Sequence, residues 1–262
     1  VMFTLSSADL DAMMALFFFP FVRILAWLSF DPLLGNRAVP MRVRVALAIV
    51  LAMAVTPILP TDTPLRLASG DGMLILLQQI AIGAALGFSL RIVFSAIEFA
   101  GQLMGLQMGL SFATLFDPVN GAQTQVIAQL LTLTTALILF AFNGHHLVIT
   151  ALVQSFQEIP IGSTLSADGF AMLAHWGSTL FMVGLHISLP VTAALLVTNL
   201  TIGMMTRASP QLNIFAIGFP LTLGVGFVLL YLALAFMPAR LDQFWLQAVE
   251  VGASTMRGVA GQ

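Results

Sequence analysis

The sequence contains no cysteine and no lysine, and little charge of either sign. Without cysteine there is no disulfide, no thiol catalysis and no cysteine-based zinc site. Without lysine there is no Walker A loop, whose amine must reach phosphate, and no Schiff-base chemistry. All nine cations are arginine, set against eleven acids for a formal net charge of −2. That balance offers no basic footprint for nucleic acid. Charged residues fill 8% of the 262 positions and apolar ones 59%, against about 25% and about 45–50% in an ordinary soluble domain. So few charges cannot cover a soluble globule of this length. The chain reads as an integral membrane protein, or as one held inside an apolar assembly.

Six apolar runs are present, roughly 12–30, 43–59, 73–90, 126–142, 179–205 and 212–237. A membrane span needs about 20 apolar residues, and most of the runs have that length. Turn and stop signals separate them: Asp31-Pro32 and Pro40, then Pro57, Pro60 and Pro64, then Asp117-Pro118 and Asn120-Gly121. Asn143-Gly144, Pro160-Ile161-Gly162 and Asp168-Gly169 punctuate the fourth connection, and Ser209-Pro210 the last. Barrel strands alternate apolar and polar residues, whereas these runs are apolar throughout, so the fold class is all-α. No internal repeat and no linker is visible, and residues 1–262 read as a single helical, membrane-associated domain. The opening segment lacks a cation and does not read as a cleaved signal peptide; Val1 before Met2 carries no weight. The arginines are spread too evenly for the positive-inside rule to orient the chain.

The third run does not stop cleanly. No proline interrupts it from Met73 to about Phe112, which predicts a helix of about 40 residues, about 60 Å long. Arg91, Ser95, Glu98, Gln102, Gly105 and Gly109 recur along it at helical spacing and share one face. Gly101, Gly105 and Gly109 form a small-xxx-small ladder. The stripe reads as a packing seam, with a lumen-facing surface or a proton relay through Glu98 as alternatives. The segment Gln107-Met108-Gly109-Leu110-Ser111-Phe112-Ala113-Thr114-Leu115-Phe116-Asp117-Pro118 then mixes methionine, glycine and phenylalanine before a helix stop. It suits either a buried loop or a soft apolar constriction that excludes water.

The remaining chemistry is sparse. His145 and His146 are adjacent, so their side chains are expected to diverge, and no metal site is read from them. No G-x-S-x-G or G-x-G-x-x-G occurs, and an intramembrane hydrolase would have to pair Ser111 with a distant histidine. No cofactor is implied. In the fifth run, Ser188, Thr192, Asn199 and Gly203 share a face, with Pro190 as an expected kink, and read as hydrogen-bonding glue between helices.

Several blocks resemble one family. Pro32-Leu33-Leu34-Gly35-Asn36-Arg37-Ala38-Val39-Pro40 is followed by Arg42 and Arg44. Then come Glu98, Ala100-Gly101-Gln102, the segment Gln107 to Ala113, Asp117-Pro118, Phe142-Asn143-Gly144-His145 and Ser155-Phe156. The last block runs from Arg207-Ala208-Ser209-Pro210-Gln211-Leu212-Asn213 to Pro220. In order and spacing these blocks resemble the FliR family of flagellar biosynthetic proteins. Those are export-gate subunits of flagellar type III secretion, related to the injectisome SctT proteins.

The resemblance implies a non-enzymatic gate subunit in the bacterial inner membrane, at the flagellar basal body. It implies a hetero-oligomer of one such chain with FliP-like and FliQ-like subunits, an FlhB-like switch protein as a further partner, contact with membrane lipid, and passage of unfolded export substrates. It implies a FliP-like part over 1–175 fused to a FliQ-like hairpin over 176–262, the two helices of the hairpin being joined at Arg207–Gln211. It maps a pore plug onto Gly105, Met108, Gly109, Phe112 and Phe116. Arg91, Glu98, Gln102, Asn199, Arg207, Pro210, Gln211 and Asn213 are then expected at helix-packing or subunit interfaces. The alternative is a proton-coupled small-solute transporter working through Glu98 beside Arg91; the missing internal repeat counts against it.

Overall fold

The computed structural model describes residues 7–59, 70–110, 126–163, 166, 168–209 and 214–259. Among the described residues eight α-helices follow one another: α1 (Ser7–Phe30), α2 (Met41–Val55), α3 (Gly70–Gln107), α4 (Val126–Ala141), α5 (Gly144–Glu158), α6 (Asp168–Gly177), α7 (Thr179–Ala208) and α8 (Ile214–Val259). A 3-10 turn, Thr56–Ile58, extends α2. The described residues contain no strand, and the fold is all-α as expected.

Each of the six apolar runs lies on a helix, and three expectations need correction. The fourth connection carries two helices, α5 and α6, where only turn signals were read. Asn143 takes the left-handed conformation (φ 56°), Gly144 opens α5, and Gly162 (φ 88°) turns the chain beyond it. The same dipeptide that ends one helix therefore starts the next. Second, α3 stops at Gln107 rather than near Phe112. Third, α8 does not end near Met237 but runs through Pro220 and Pro238 to Val259. A proline removes one N–H and strains one turn. In apolar surroundings, breaking the helix would leave more backbone groups without partners.

Among the described residues four segments are long and apolar enough to cross a membrane: Met41–Ile58, Gly70–Gln107, Ala171–Ala208 and Ile217–Pro238. The α4–α5 pair makes a fifth if counted as one broken span, and the apolar part of α1, Met14–Phe30, is shorter. At 38 residues α3 is about 57 Å long, against a hydrocarbon core of about 30 Å.

Two compact units share the chain. The first comprises Val1–Ile92, Asn143–Gly177 and Trp245–Gln262; the second comprises Val93–Phe142 and Ser178–Phe244. In the first unit α2 packs on α1, and α1 crosses α3 at Gly83 and Gly87, where a side chain would strike the Arg23 and Trp27 carbonyls. Phe19, Ile24, Leu28, Leu152 and Ile159 are fully enclosed there. The end of α8 lies on α3 at Gly252, beside Ser89, whose carbonyl accepts the Trp176 indole N–H at 3.2 Å. In the second unit Ile97, Ala100, Met104, Met108, Ile127, Leu131 and Leu195 make the core. Gly101 of α3 lets α4 approach until the Ala128 backbone fills the space of a side chain. Gly184 of α7 does the same against the Ala96 carbonyl, and Phe99 meets Phe181 edge to face, ring centres 5.6 Å apart.

Candidate functional site

The residues mapped to the plug begin in the second unit, at the carboxyl end of α3. A helix leaves its last four carbonyls without partners inside itself, and here each of them is met. The Met108 N–H donates to the Met104 carbonyl at 3.0 Å. The Leu110 N–H reaches back to the Gly105 carbonyl and the Gly109 N–H to the Leu106 carbonyl, both at 3.1 Å. Those two bonds, with Gly109 at φ 81°, form a Schellman stop. The fourth carbonyl, on Gln107, accepts the Asn199 side-chain N–H from α7 at 3.4 Å. Gly109 is therefore a helix terminator with a required left-handed backbone, and the α3 stripe leaves the helix before reaching it.

Met108 is fully buried. Its side chain lies along α8 over Gly226, where an added Cβ would fall 2.6 Å from Cγ, 2.8 Å from Cε and 2.9 Å from Sδ. Burying a methionine side chain contributes about 1.5–3 kcal/mol. A side-chain hydrogen bond between apolar helices averages about 0.6 kcal/mol. The turn is thus held chiefly by Met108 in its notch, with Asn199 adding direction.

The same unit holds an open apolar cavity of about 450 Å³ between α7 and α8, lined by Met104, Leu131, Pro190, Leu230 and Met237 with His186 as its polar contributor. Among the described residues this is one polar side chain, short of the convergent set that fixes a small-molecule substrate.

The other site residues fall as follows. Gly105 is buried in the last turn of α3, Glu98 is half-buried, and Arg91 and Gln102 are exposed. Arg207 stands exposed in the last turn of α7, where its charge complements the helix dipole. Phe112, Phe116, Pro210, Gln211 and Asn213 lie outside the described residues. The glue expected on α7 is mostly internal. Ser188 and Thr192 hydroxyls donate to the Leu185 and Ser188 carbonyls of their own helix, both at 3.0 Å, and of the three only Asn199 reaches across. His145 and His146 do not diverge: their rings meet with centres 4.2 Å apart. Among the described residues no group of three or more His, Asp or Glu is placed to hold a metal ion.

A sequence profile described as bacterial export proteins, family 1, matches residues 14–248. The chain belongs to that family. It is 40% identical over 251 residues to the flagellar biosynthetic protein FliR of Pectobacterium carotovorum, covering 95% of this chain and 96% of that one. It is 43% identical over 217 residues to FliR of Escherichia coli, 82% of each chain, and 31% identical over 224 residues to FliR of Bacillus subtilis, covering 84% and 86%. The FliR resemblance read from the sequence blocks is therefore correct.

For a member of this export family, two well-placed residues escaped the sequence reading. One is Gly226, hidden in a uniformly apolar run. The other is Arg23 in the first unit, fully buried and bonded to Gln79, Ser155 and Ile159. A cation inside an apolar run is itself a signal worth following, and Arg23 sits inside the first of the six runs.

Proposed function

We propose that this chain is the FliR-type subunit of a flagellar type III protein export gate in the bacterial inner membrane. One copy joins FliP-like and FliQ-like subunits, meets an FlhB-like switch protein, and helps conduct unfolded flagellar substrates while sealing the pore at rest. The reading divides the chain into a FliP-like part over 1–175 and a FliQ-like hairpin over 176–262, with α7 and α8 as the long helices of the latter. The plug begins at Gly105 and includes Met108, Gly109, Phe112 and Phe116. Arg91, Glu98, Gln102, Asn199, Arg207, Pro210, Gln211 and Asn213 belong to helix-packing or subunit interfaces. The chain performs no catalysis in this scheme, and energy comes from other parts of the export machine.

Membership of the export family over nearly the whole chain is the observation that carries the reading. The exposed apolar helices support it, since they require lipid or partner subunits to cover them. Native mass spectrometry of the mildly solubilised chain, expressed with its genomic neighbours, tests it. The expected species holds one copy of this chain with several copies of two other small apolar proteins. A monomer or homodimer without partners would overturn the gate assignment.

A further inference from the structure

We infer that Arg37 and Arg42, at the start of α2, bind the headgroup of an anionic phospholipid whose acyl chain lies along the bare apolar face of the same helix. The gate reading names lipid only as a covering, whereas this site selects one class of headgroup.

Arg37, Arg42 and Arg44 stand close together, and the sequence has no acid from Pro32 to Thr61. Arg37 and Arg42 are exposed, and neither guanidinium forms an ion pair or hydrogen bond among the described residues. Arg44 is used differently: its Nη2 donates to the Asn36 and Val39 carbonyls at 2.8 and 3.0 Å. It folds the turn that carries Arg37 back onto the first turn of α2, where Arg42 stands, and so is a positioning residue. The amino end of a helix is the unfavourable end for a cation. This one has no acid in its first turn and no side-chain cap at Pro40, so nothing on the helix offsets the repulsion. An anion from outside the chain does.

The face below Arg42 selects the kind of anion. Ile49, Val50 and Met53 share that face at helical spacing, and all three are exposed. The buried residues of α2, Ala48, Ala52 and Val55, lie on another side. The whole segment Met41–Ile58 is apolar enough to cross a membrane. From Arg42 to Met53 the bare face measures about 17 Å, close to one leaflet of a hydrocarbon core about 30 Å thick. A free anion or an acidic protein segment would use the arginines and leave this face uncovered. A phospholipid uses both, its headgroup meeting the cations and its tail covering the face. Unneutralised arginines favour a headgroup of net negative charge, since a zwitterionic one brings its own cation beside the phosphate.

The test is native mass spectrometry of the full chain, purified in mild detergent with the neighbours that accompany it. It is titrated with phosphatidylglycerol or phosphatidylcholine of identical acyl chains. Phosphatidylglycerol is expected to bind about tenfold more tightly, each arginine beside an anionic surface contributing up to about fivefold. Arg37→Gln combined with Arg42→Gln is expected to abolish that preference, with phosphatidylcholine binding and heat stability unchanged. Arg37→Lys combined with Arg42→Lys keeps the charges and is expected to keep the preference. Val50→Asn, on the apolar face, is expected to weaken both lipids alike. Inorganic phosphate in large excess is expected not to displace the lipid. The site is overturned if wild type binds the two lipids equally, or if the glutamine pair keeps the wild-type preference. It is also overturned if Val50→Asn leaves both affinities unchanged, or if inorganic phosphate displaces the lipid, which would leave a free-anion site. A glutamine pair that keeps the lipid preference but sheds a co-purifying neighbour would assign the arginines to a protein contact instead. Missing neighbours in wild type overturn the gate assignment alone, so the two readings fail separately.

Discussion

Arg23 carries a full charge into the interior of the first unit, and the groups around it are dipoles rather than acids. Nε donates to Gln79 Oε1 at 2.7 Å, Nη1 to the Ser155 carbonyl at 2.8 Å and its hydroxyl at 3.3 Å, and Nη2 to the Ile159 carbonyl at 2.9 Å. The Phe156 ring centre lies 4.3 Å from Cζ. Ser155 and Ile159 sit at the carboxyl end of α5, where the helix dipole is negative. Arg23→Ala leaves the buried Gln79 Oε1 and Ile159 carbonyl unmet and takes a donor from the Ser155 hydroxyl, while the Ser155 carbonyl keeps the Ile159 N–H at 3.0 Å; each unmet group costs about 1–3 kcal/mol. The expected loss is therefore about 3 kcal/mol, read as a large drop in the melting temperature of the detergent-solubilised complex. Arg23→Lys keeps the charge but loses the planar fork, so a smaller drop is expected. An unchanged melt for Arg23→Ala would show that the network contributes nothing. At the same scale, Gly109→Ala forces a Cβ into left-handed backbone, which costs about 1–2 kcal/mol, whereas Gly109→Asn is expected to cost less. Comparing the two by fraction of complex surviving a heat step separates backbone strain from lost flexibility.

Among the elements, the connection from α1 to α2 shows how much a short turn was legible and how much was not. Asp31-Pro32 marked the stop correctly. What the residue types did not reveal is that Asp31 is buried, with its carboxylate accepting the Leu33 and Leu34 N–H groups at 2.9 and 2.8 Å. Burial raises its pKa above the ordinary carboxylate value, and those two hydrogen bonds only partly oppose the rise. The folded protein thus holds this proton more tightly than the unfolded chain. Its contribution to stability is greatest at low pH and is lost as pH climbs from the ordinary carboxylate value through the raised one. Asp31→Asn keeps the accepting oxygen and removes the titration, so its melting temperature is expected to lose that downward slope and to exceed wild type at neutral pH. Equal slopes for both proteins would sink the assignment. Helices α1 to α4, α7 and α8 were readable because apolar runs between turn signals leave the backbone no other option in a membrane. Helices α5 and α6 were not, because Asn143-Gly144 and Asp168-Gly169 serve as helix starts as readily as turns, and polar residues such as His145, His146, Gln154 and His175 leave neither helix a continuous apolar run. The α3 terminus shows the same limit. Gly109 was visible as a special position, but the partner that makes Met108 a fixture is a glycine more than a hundred residues away.

For the molecule as a whole, the decisive asymmetry is between a well-covered helix and bare ones. Within the candidate spans α3 is 67% buried, while the α2 and α8 spans are each 17% buried. Val228 and Phe236 of α8 are 61% and 72% exposed. On a protein whose surface met water, an exposed apolar residue exchanged for a charged one would change stability by about 0.5 kcal/mol at most. On a face covered by lipid or apolar neighbours, the same change places a charge where it costs about 2.5–3.5 kcal/mol. In the proposed gate, lipid or partner subunits cover such exposed apolar faces, and partner subunits are expected on this one. Val228→Glu is therefore expected to leave the chain in the membrane fraction, held by its other apolar helices, while co-purification of its genomic neighbours falls sharply. Gln243→Glu, an equally charged change at an exposed polar position of the same helix, is expected to leave both measurements unchanged. Retention of the neighbours by Val228→Glu would mean that this face of α8 lies outside the assembly and looks into lipid or water instead.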